Sequence, residues 1–135
     1  MTHTLLDIAA ACLLDDAGRL LLVRKRGTRA FMLPGGKREP GESPLQALQR
    51  ELQEELDLRL PASALTPLGS FQAVAANEAN TRVQAQVYVA ALPHPVAPAA
   101  ELEELSWLEP GAPPPDHLAP LLSEQVLPAL KKHLD

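Results

Sequence analysis

Glu51, Glu54 and Glu55 stand at i, i+3 and i+4, so a helix through them carries three carboxylates on one face within a single turn. Like charges at i, i+4 disfavour an isolated helix by roughly 0.2–0.5 kcal/mol a pair. Such a cluster calls for a counter-charge, and a bound divalent cation supplies one. Carboxylate oxygens are hard ligands that suit Mg2+ or Mn2+. A solvated acidic face is the bland alternative, and it would suffice if the glutamates stood alone. They do not: Gly36, Glu42 and Arg50 precede them in the stretch GKREPGESPLQALQRELQEELDL, from Gly36 to Leu58.

The helix that must carry the cluster has a well-marked start. Ser43 is a good N-cap, Pro44 suits the first helical position, and Gln46 completes a Ser-x-x-Gln capping box. Leu45, Leu48, Leu52 and Leu56 recur at helical spacing and predict a buried stripe. Asp57 and Pro61 bracket the helix end. Before it, Phe31 to Glu42 reads as a loop rich in glycine, proline and charge.

The flanking chain alternates strands and turns. Leu5–Leu14 is almost wholly apolar and predicts a buried strand; Asp15–Gly18 is a turn, and Arg19–Arg26 the returning strand of a hairpin. Leu65–Ala76 predicts a strand with a bulge at Gly69. Asn77–Asn80 is a turn, and Thr81–Leu92 alternates as a strand should. Pro93–Pro98 is a stiff loop. An acidic cluster, Glu101 to Glu104, precedes a short strand, Leu105–Leu108, with the only tryptophan. Pro110–Pro115 is a connector, and His117–Leu134 predicts a helix kinked near Pro128.

The chain of 135 residues suits one domain, and 46% hydrophobic with 21% charged residues is the balance of a soluble globular protein. A net charge of -5 argues against nonspecific nucleic-acid or anionic-membrane binding. It leaves room for a phosphorylated substrate, because a bound cation reverses the local sign. Cys12 is the only cysteine, so no intrachain disulfide forms, and its apolar surroundings predict a buried small hydrophobe. No apolar run is long enough to cross a bilayer and no signal peptide is evident, which together read as a cytoplasmic protein.

The stretch resembles the Nudix box, Gly-x5-Glu-x7-Arg-Glu-U-x-Glu-Glu-x-Gly-U, where U is a bulky aliphatic. Gly36, Glu42, Arg50, Glu51, Leu52, Glu54, Glu55 and Leu58 all fall in register. Eight such matches arise by chance with probability about 10⁻⁶ in a chain of this length. Asp57 replaces the last Gly, whose task is to end the helix in a left-handed conformation. Asp enters that region more readily than most residues.

The resemblance implies an α/β fold, the Nudix α/β/α sandwich with a mixed sheet between helices, formed by residues 1–135 as one domain. It implies a hydrolase that breaks the phosphoanhydride of X-diphosphate-Y, releasing X-phosphate and Y-phosphate. Nucleoside triphosphates, dinucleoside polyphosphates and nucleotide sugars are the candidate substrates. By the same resemblance Glu51, Glu54 and Glu55 bind the metal, joined by the backbone carbonyl of Gly36. Arg50 holds the carboxylates in place, and Glu42 is a supporting carboxylate. The general base differs among members. Glu104, three residues before Trp107, resembles the distant acidic residue that many use as ligand or base, with Glu101 and Glu103 next in line. In that role Glu104→Gln would slow turnover at least about tenfold.

Lys37 and Arg38 sit in the loop beside the box and are candidate phosphate contacts, although surface charge is the plainer reading for them and for Arg24, Lys25 and Arg26. His3, His94, His117 and His133 are scattered and read as structural or exposed. Phe31 and Trp107 read as core more than as stacking platforms. Many members of the family are dimers, so a homodimer is left open; no membrane or stable nucleic-acid partner is expected. The rival reading is a noncatalytic nucleotide-binding or sensing module of the same fold. Such modules often lose box glutamates, and this chain keeps them.

Overall fold

The apolar run near the N-terminus has too few polar residues for a strand with one wet face, and from Ala9 to Leu13 both of its faces are buried, while Leu5 at its start is exposed. The computed structural model describes residues 4–109, 111–113 and 115–135; His3 and two prolines of the connector, Pro110 and Pro114, lie outside them. In β1 (Thr4–Leu14), Ala9, Ala11 and Leu13 join one core cluster while Ala10 and Cys12 join another on the opposite face. β2 (Leu20–Lys25) returns antiparallel to it, as the turn at Asp15–Gly18 predicts.

The two strands after the box helix are β4 (Thr66–Val74) and β5 (Thr81–Ala91). β5 runs parallel to β1 in unbroken register from Thr4↔Thr81 to Leu14↔Ala91, which makes the sheet mixed. β4 pairs antiparallel with β5, and its register shifts between Pro67 and Gly69 at the expected bulge. β6 (Leu102–Leu108) pairs antiparallel with β2 and closes the order β4-β5-β1-β2-β6. This strand starts three residues earlier than the sequence suggests, because Leu102 packs into the core and Glu103 and Glu104 are carried along in the ladder.

The box helix, α1 (Pro44–Leu56), covers one face. Leu48, Leu52 and Leu56 pack there with Leu21 and Val23. The capping box forms as read: Ser43 Oγ accepts from the Gln46 N–H, and Gln46 returns a bond to the Ser43 N–H. Asp57 ends the helix at φ 49 and ψ 40, in the left-handed region that its substitution for Gly requires.

The second face is covered by a π-helical segment, Leu121–Val126, that runs into α2 (Leu127–Leu134). The C-terminal helix begins later than 117 because Phe31 and residues 117–119 bond to each other instead. The Phe31 N–H donates to the His117 carbonyl at 2.7 Å, and the Ala119 N–H donates to the Phe31 carbonyl at 2.8 Å. His117 takes a left-handed φ of 66° in this contact. Near Pro128 the chain widens: the Leu127 N–H bonds five residues back to Leu122. A wide turn accommodates a residue that has no N–H and whose ring crowds the preceding carbonyls. Among the described residues no helix is long and apolar enough to cross a membrane.

Candidate active site

Gly35 and Gly36 are the point at which the box loop meets the sheet. The sequence reads them as loop, yet Gly35–Lys37 forms a short strand, β3, antiparallel to β1 with Ala9 opposite Gly36. Gly35 has φ 145°, and a Cβ there would fall on the Ala9 carbonyl. A Cβ on Gly36 would lie 2.5 Å from the Glu51 carboxyl carbon. Two bare backbones therefore let β3 lie against β1 on one side and receive a carboxylate on the other.

The glutamates arrive from α1. Glu55 is 2% exposed, and its Oε1 accepts from the Gly35 N–H at 3.1 Å. Burial pushes its carboxyl up to about 8; the Gly35 bond opposes the shift and the neighbouring Glu51 adds to it. Burial also raises Glu51, against the pull of Arg50. Glu54 is the outward member, with a side chain 54% exposed.

Arg50 ties the arrangement together. Nε and Nη2 grip Glu42 at 2.8 and 3.0 Å as a two-point pair, Nη1 donates to Glu51 at 2.8 Å, and Nη2 also reaches the Lys37 carbonyl at 3.0 Å. Glu54 lies 3.6 Å from the same guanidinium. The Arg50 side-chain bond, helped by the Glu39 N–H, pulls Glu42 down to about 2. Glu42 thus stays charged and holds Arg50, which in turn orients Glu51.

These donors fit a hard divalent cation. They are carboxylate oxygens beside the Gly36 backbone, and Glu55 among them is buried with a backbone N–H and, among the described residues, no cationic side chain bonded to it. Among the described residues no three acidic, histidine or cysteine side chains close on one point. The Glu51 and Glu55 oxygens face Arg50 and Gly35 instead.

The remaining candidates separate. Lys37 Nζ stands 3.9 Å from Glu78, and Arg38 Nη2 lies 3.3 Å from Asp7; both are exposed. Glu104 is not brought to the box carboxylates. In the β2–β6 ladder Arg24 faces Glu104 while Val23 faces Leu105, and Val23 and Leu105 belong to the α1 side. Alternation puts Glu104 on the opposite face, where its Oε1 accepts from Arg24 Nε at 2.9 Å. Glu101 is the acid from this region whose charge raises Glu55. Lys25, for which surface charge is the plainer reading of the sequence, has a favourable field at both Glu51 and Glu55. Its place two residues after Val23 is the signal that identifies its face.

On the second face a cavity of about 480 Å³ opens between three connections. Thr28 and Arg29 come from the β2–β3 loop, Asn77 from the β4–β5 turn, and His117 and Leu118 from the segment before the π-helix. Phe31 packs against the same core cluster as Leu118. Trp107 is partly exposed, with the Arg19 guanidinium 5.3 Å from its ring.

A family model of the NUDIX domain matches residues 4–130. An RNA pyrophosphohydrolase from Halorhodospira halophila is 48% identical over 44 residues, which are 33% of this chain and 24% of that protein. An 8-oxo-dGTP diphosphatase from Haemophilus influenzae is 34% identical over 62 residues, 43% of this chain and 46% of that one. The matches thus span less than half the length of these curated relatives. The crystal structure of a MutT NUDIX hydrolase from Burkholderia pseudomallei superposes with a TM-score of 0.73 at 24% identity, covering 96% of this chain and 98% of that one.

Proposed function

The chain belongs to the NUDIX domain family, and on that premise we propose that residues 1–135 form one hydrolase domain, dependent on Mg2+ or Mn2+, that cleaves the phosphoanhydride of a nucleoside diphosphate derivative. The observation that carries the reading is the meeting of the Glu51–Glu55 turn of α1, through Glu51 and Glu55, with the side-chain-free Gly35–Gly36 strand. Glu51, Glu54, Glu55 and the Gly36 carbonyl would hold the ion. When bound, the ion neutralises a diphosphate and acidifies water.

The chain's own residues prepare that chemistry. Glu42 fixes Arg50, and Arg50 fixes Glu51. The Gly35 N–H fixes Glu55. Lys25 adds positive potential on the side where phosphate oxygens arrive, with Lys37 and Arg38 at the margin. Glu101, whose charge reaches Glu55, takes the base or ligand role that spacing offers to Glu104. The cavity beside Thr28, Asn77 and His117 suits the moiety attached to the diphosphate: it is concave, mixed in polarity, and walled by the loop that leads into β3.

The names of the two relatives add 8-oxo-dGTP and RNA to nucleoside triphosphates, dinucleoside polyphosphates and nucleotide sugars as compounds to test. The cytoplasm, where such compounds occur, is the location this reading carries. The test is phosphate or nucleotide release from this set with Mg2+ and with Mn2+, in wild type and Glu54→Gln. Release that depends on the ion and is lost in the variant, with circular dichroism unchanged, supports the reading. Equal rates in both proteins sink the metal-ligand assignment. Nucleotide binding with no release from any compound gives the chain to the noncatalytic reading.

A further inference from the structure

Glu104 has the sequence position of a catalytic acid and the surroundings of a structural one. Its Oε1 accepts from Arg24 Nε at 2.9 Å, and Arg24 Nη1 donates to the Thr28 carbonyl at 2.8 Å. Thr28 Oγ1 in turn donates to the Lys25 carbonyl at 2.8 Å, and the Thr28 N–H bonds the same oxygen at 3.1 Å. These four contacts join β6 to the turn that leaves β2. Thr28 and its neighbours through Ala30 then form one wall of the cavity.

We propose that Glu104 and Arg24 are a positioning pair: they hold the Gly27–Ala30 loop in the conformation that keeps the cavity open, so Glu104 acts on the reaction through Thr28 and touches neither the attacking water nor the metal. The proposal rests on the reading of the cavity as the place of the moiety attached to the diphosphate. The chain is tied down on either side of this loop: the Arg26 N–H donates to the Glu101 carbonyl at 2.8 Å and the Phe31 N–H to the His117 carbonyl at 2.7 Å. Between those ties Gly27 takes a positive φ of 77°, and the Arg24 bond to the Thr28 carbonyl is the contact that links the loop to Glu104 on β6. An exposed pair such as Arg24–Glu104 adds little to global stability, so its work is local.

The chemistry of the pair separates the two roles of Glu104. Positioning needs an acceptor for Arg24 Nε, which Gln provides; ligation or proton transfer needs the carboxylate. Steady-state kinetics on a substrate the wild type hydrolyses should show KM up about tenfold in Glu104→Ala and Arg24→Ala, with kcat within about twofold. The double variant should be no worse than either single one, and Glu104→Gln should restore the wild-type KM. A fall in kcat of about a hundredfold in Glu104→Gln overturns the proposal and makes Glu104 a base or ligand. Hydrogen exchange of amides 26–31 in the metal-free protein tests the same loop without activity. Exchange about tenfold faster in Glu104→Ala and near wild type in Glu104→Gln supports the proposal. Unchanged exchange in Glu104→Ala overturns it, whether or not the wild type hydrolyses any compound screened.

Discussion

The two faces of the sheet carry acids of opposite character. On the α1 face, Glu55 is buried with one backbone N–H and Glu51 shares Arg50; burial raises the carboxyl of both, Glu55 to about 8. On the other face, Glu104 is half exposed and satisfied by Arg24. A carboxylate held short of charge compensation is poised to take a cation, while one already paired is poised to hold a loop. The faces differ in kind, although Arg24 and Lys25 are adjacent in the chain and contribute one to each.

The sharpest way to break this contrast is Glu55→Gln. Gln keeps an acceptor for the Gly35 N–H and removes the buried charge. Hydrolysis should fall at least about a hundredfold, while the metal-free protein at pH 9 should gain on the order of 2 kcal/mol in urea unfolding. Loss of stability instead would mean that Glu55 is not under-compensated.

The adjacent glycines give a second pair. Gly35→Ala forces a left-handed φ and drives a Cβ into the β1 backbone, so it should cost about 3 kcal/mol or more of stability. Gly36→Ala meets only the carboxylate end of the Glu51 side chain. It should cost less than about 1 kcal/mol and reduce hydrolysis about tenfold or more by displacing that carboxylate. Thermal melts and rates on both variants check the ranking, and equal melting points would contradict it.

The pH dependence has a definite sign. Glu55 in the fold holds its proton up to about 8, while in the unfolded chain it loses it near 4.5. Its contribution is therefore fully present below pH 4.5 and lost as pH rises to about 8, a loss on the order of 4 kcal/mol. Glu51, raised in the same direction, adds to the decline. Glu42, lowered to about 2, acts at the acid end: its stability is present above pH 4.5 and lost as pH falls through 2. Chelated wild type should therefore lose stability from pH 5 to 9, Glu55→Gln should lose less, and Mg2+ should restore more at pH 9 than at pH 6. The smallest change is expected for Asp57→Gly. The left-handed cap it relieves is offset by the freedom Gly adds to the unfolded chain, so stability should stay within about 0.5 kcal/mol. A larger gain would show that Asp57 strains the helix end.

Local features were legible in the residues. The capping box at Ser43, the leucine stripe, the bulge at Gly69 and the left-handed Asp57 each depend on a few neighbouring residues, and each appears as read. The β3 strand was hidden because Gly35–Lys37 has strand geometry only against β1. The late start of the last helix was hidden because 117–119 bond to Phe31, far away in the chain. The faces of Lys25 and Glu104 were hidden for one reason: a side chain's face is a property of strand pairing.

By itself the sequence determined the chemistry available, three carboxylates on one turn with Arg50 and Glu42 in register, because helical spacing is set by the backbone alone. Only the tertiary structure decided which other charges share that site. β2 and β6 pair with a register shift between Arg24 and Lys25. In a strand, one residue of shift exchanges the two faces. Arg24↔Glu104 precedes that shift, so alternation from Val23 and Leu105 sends Arg24 and Glu104 to the loop behind the sheet and leaves Lys25 in the field of Glu51 and Glu55, while the shift returns Leu102 to the α1 face.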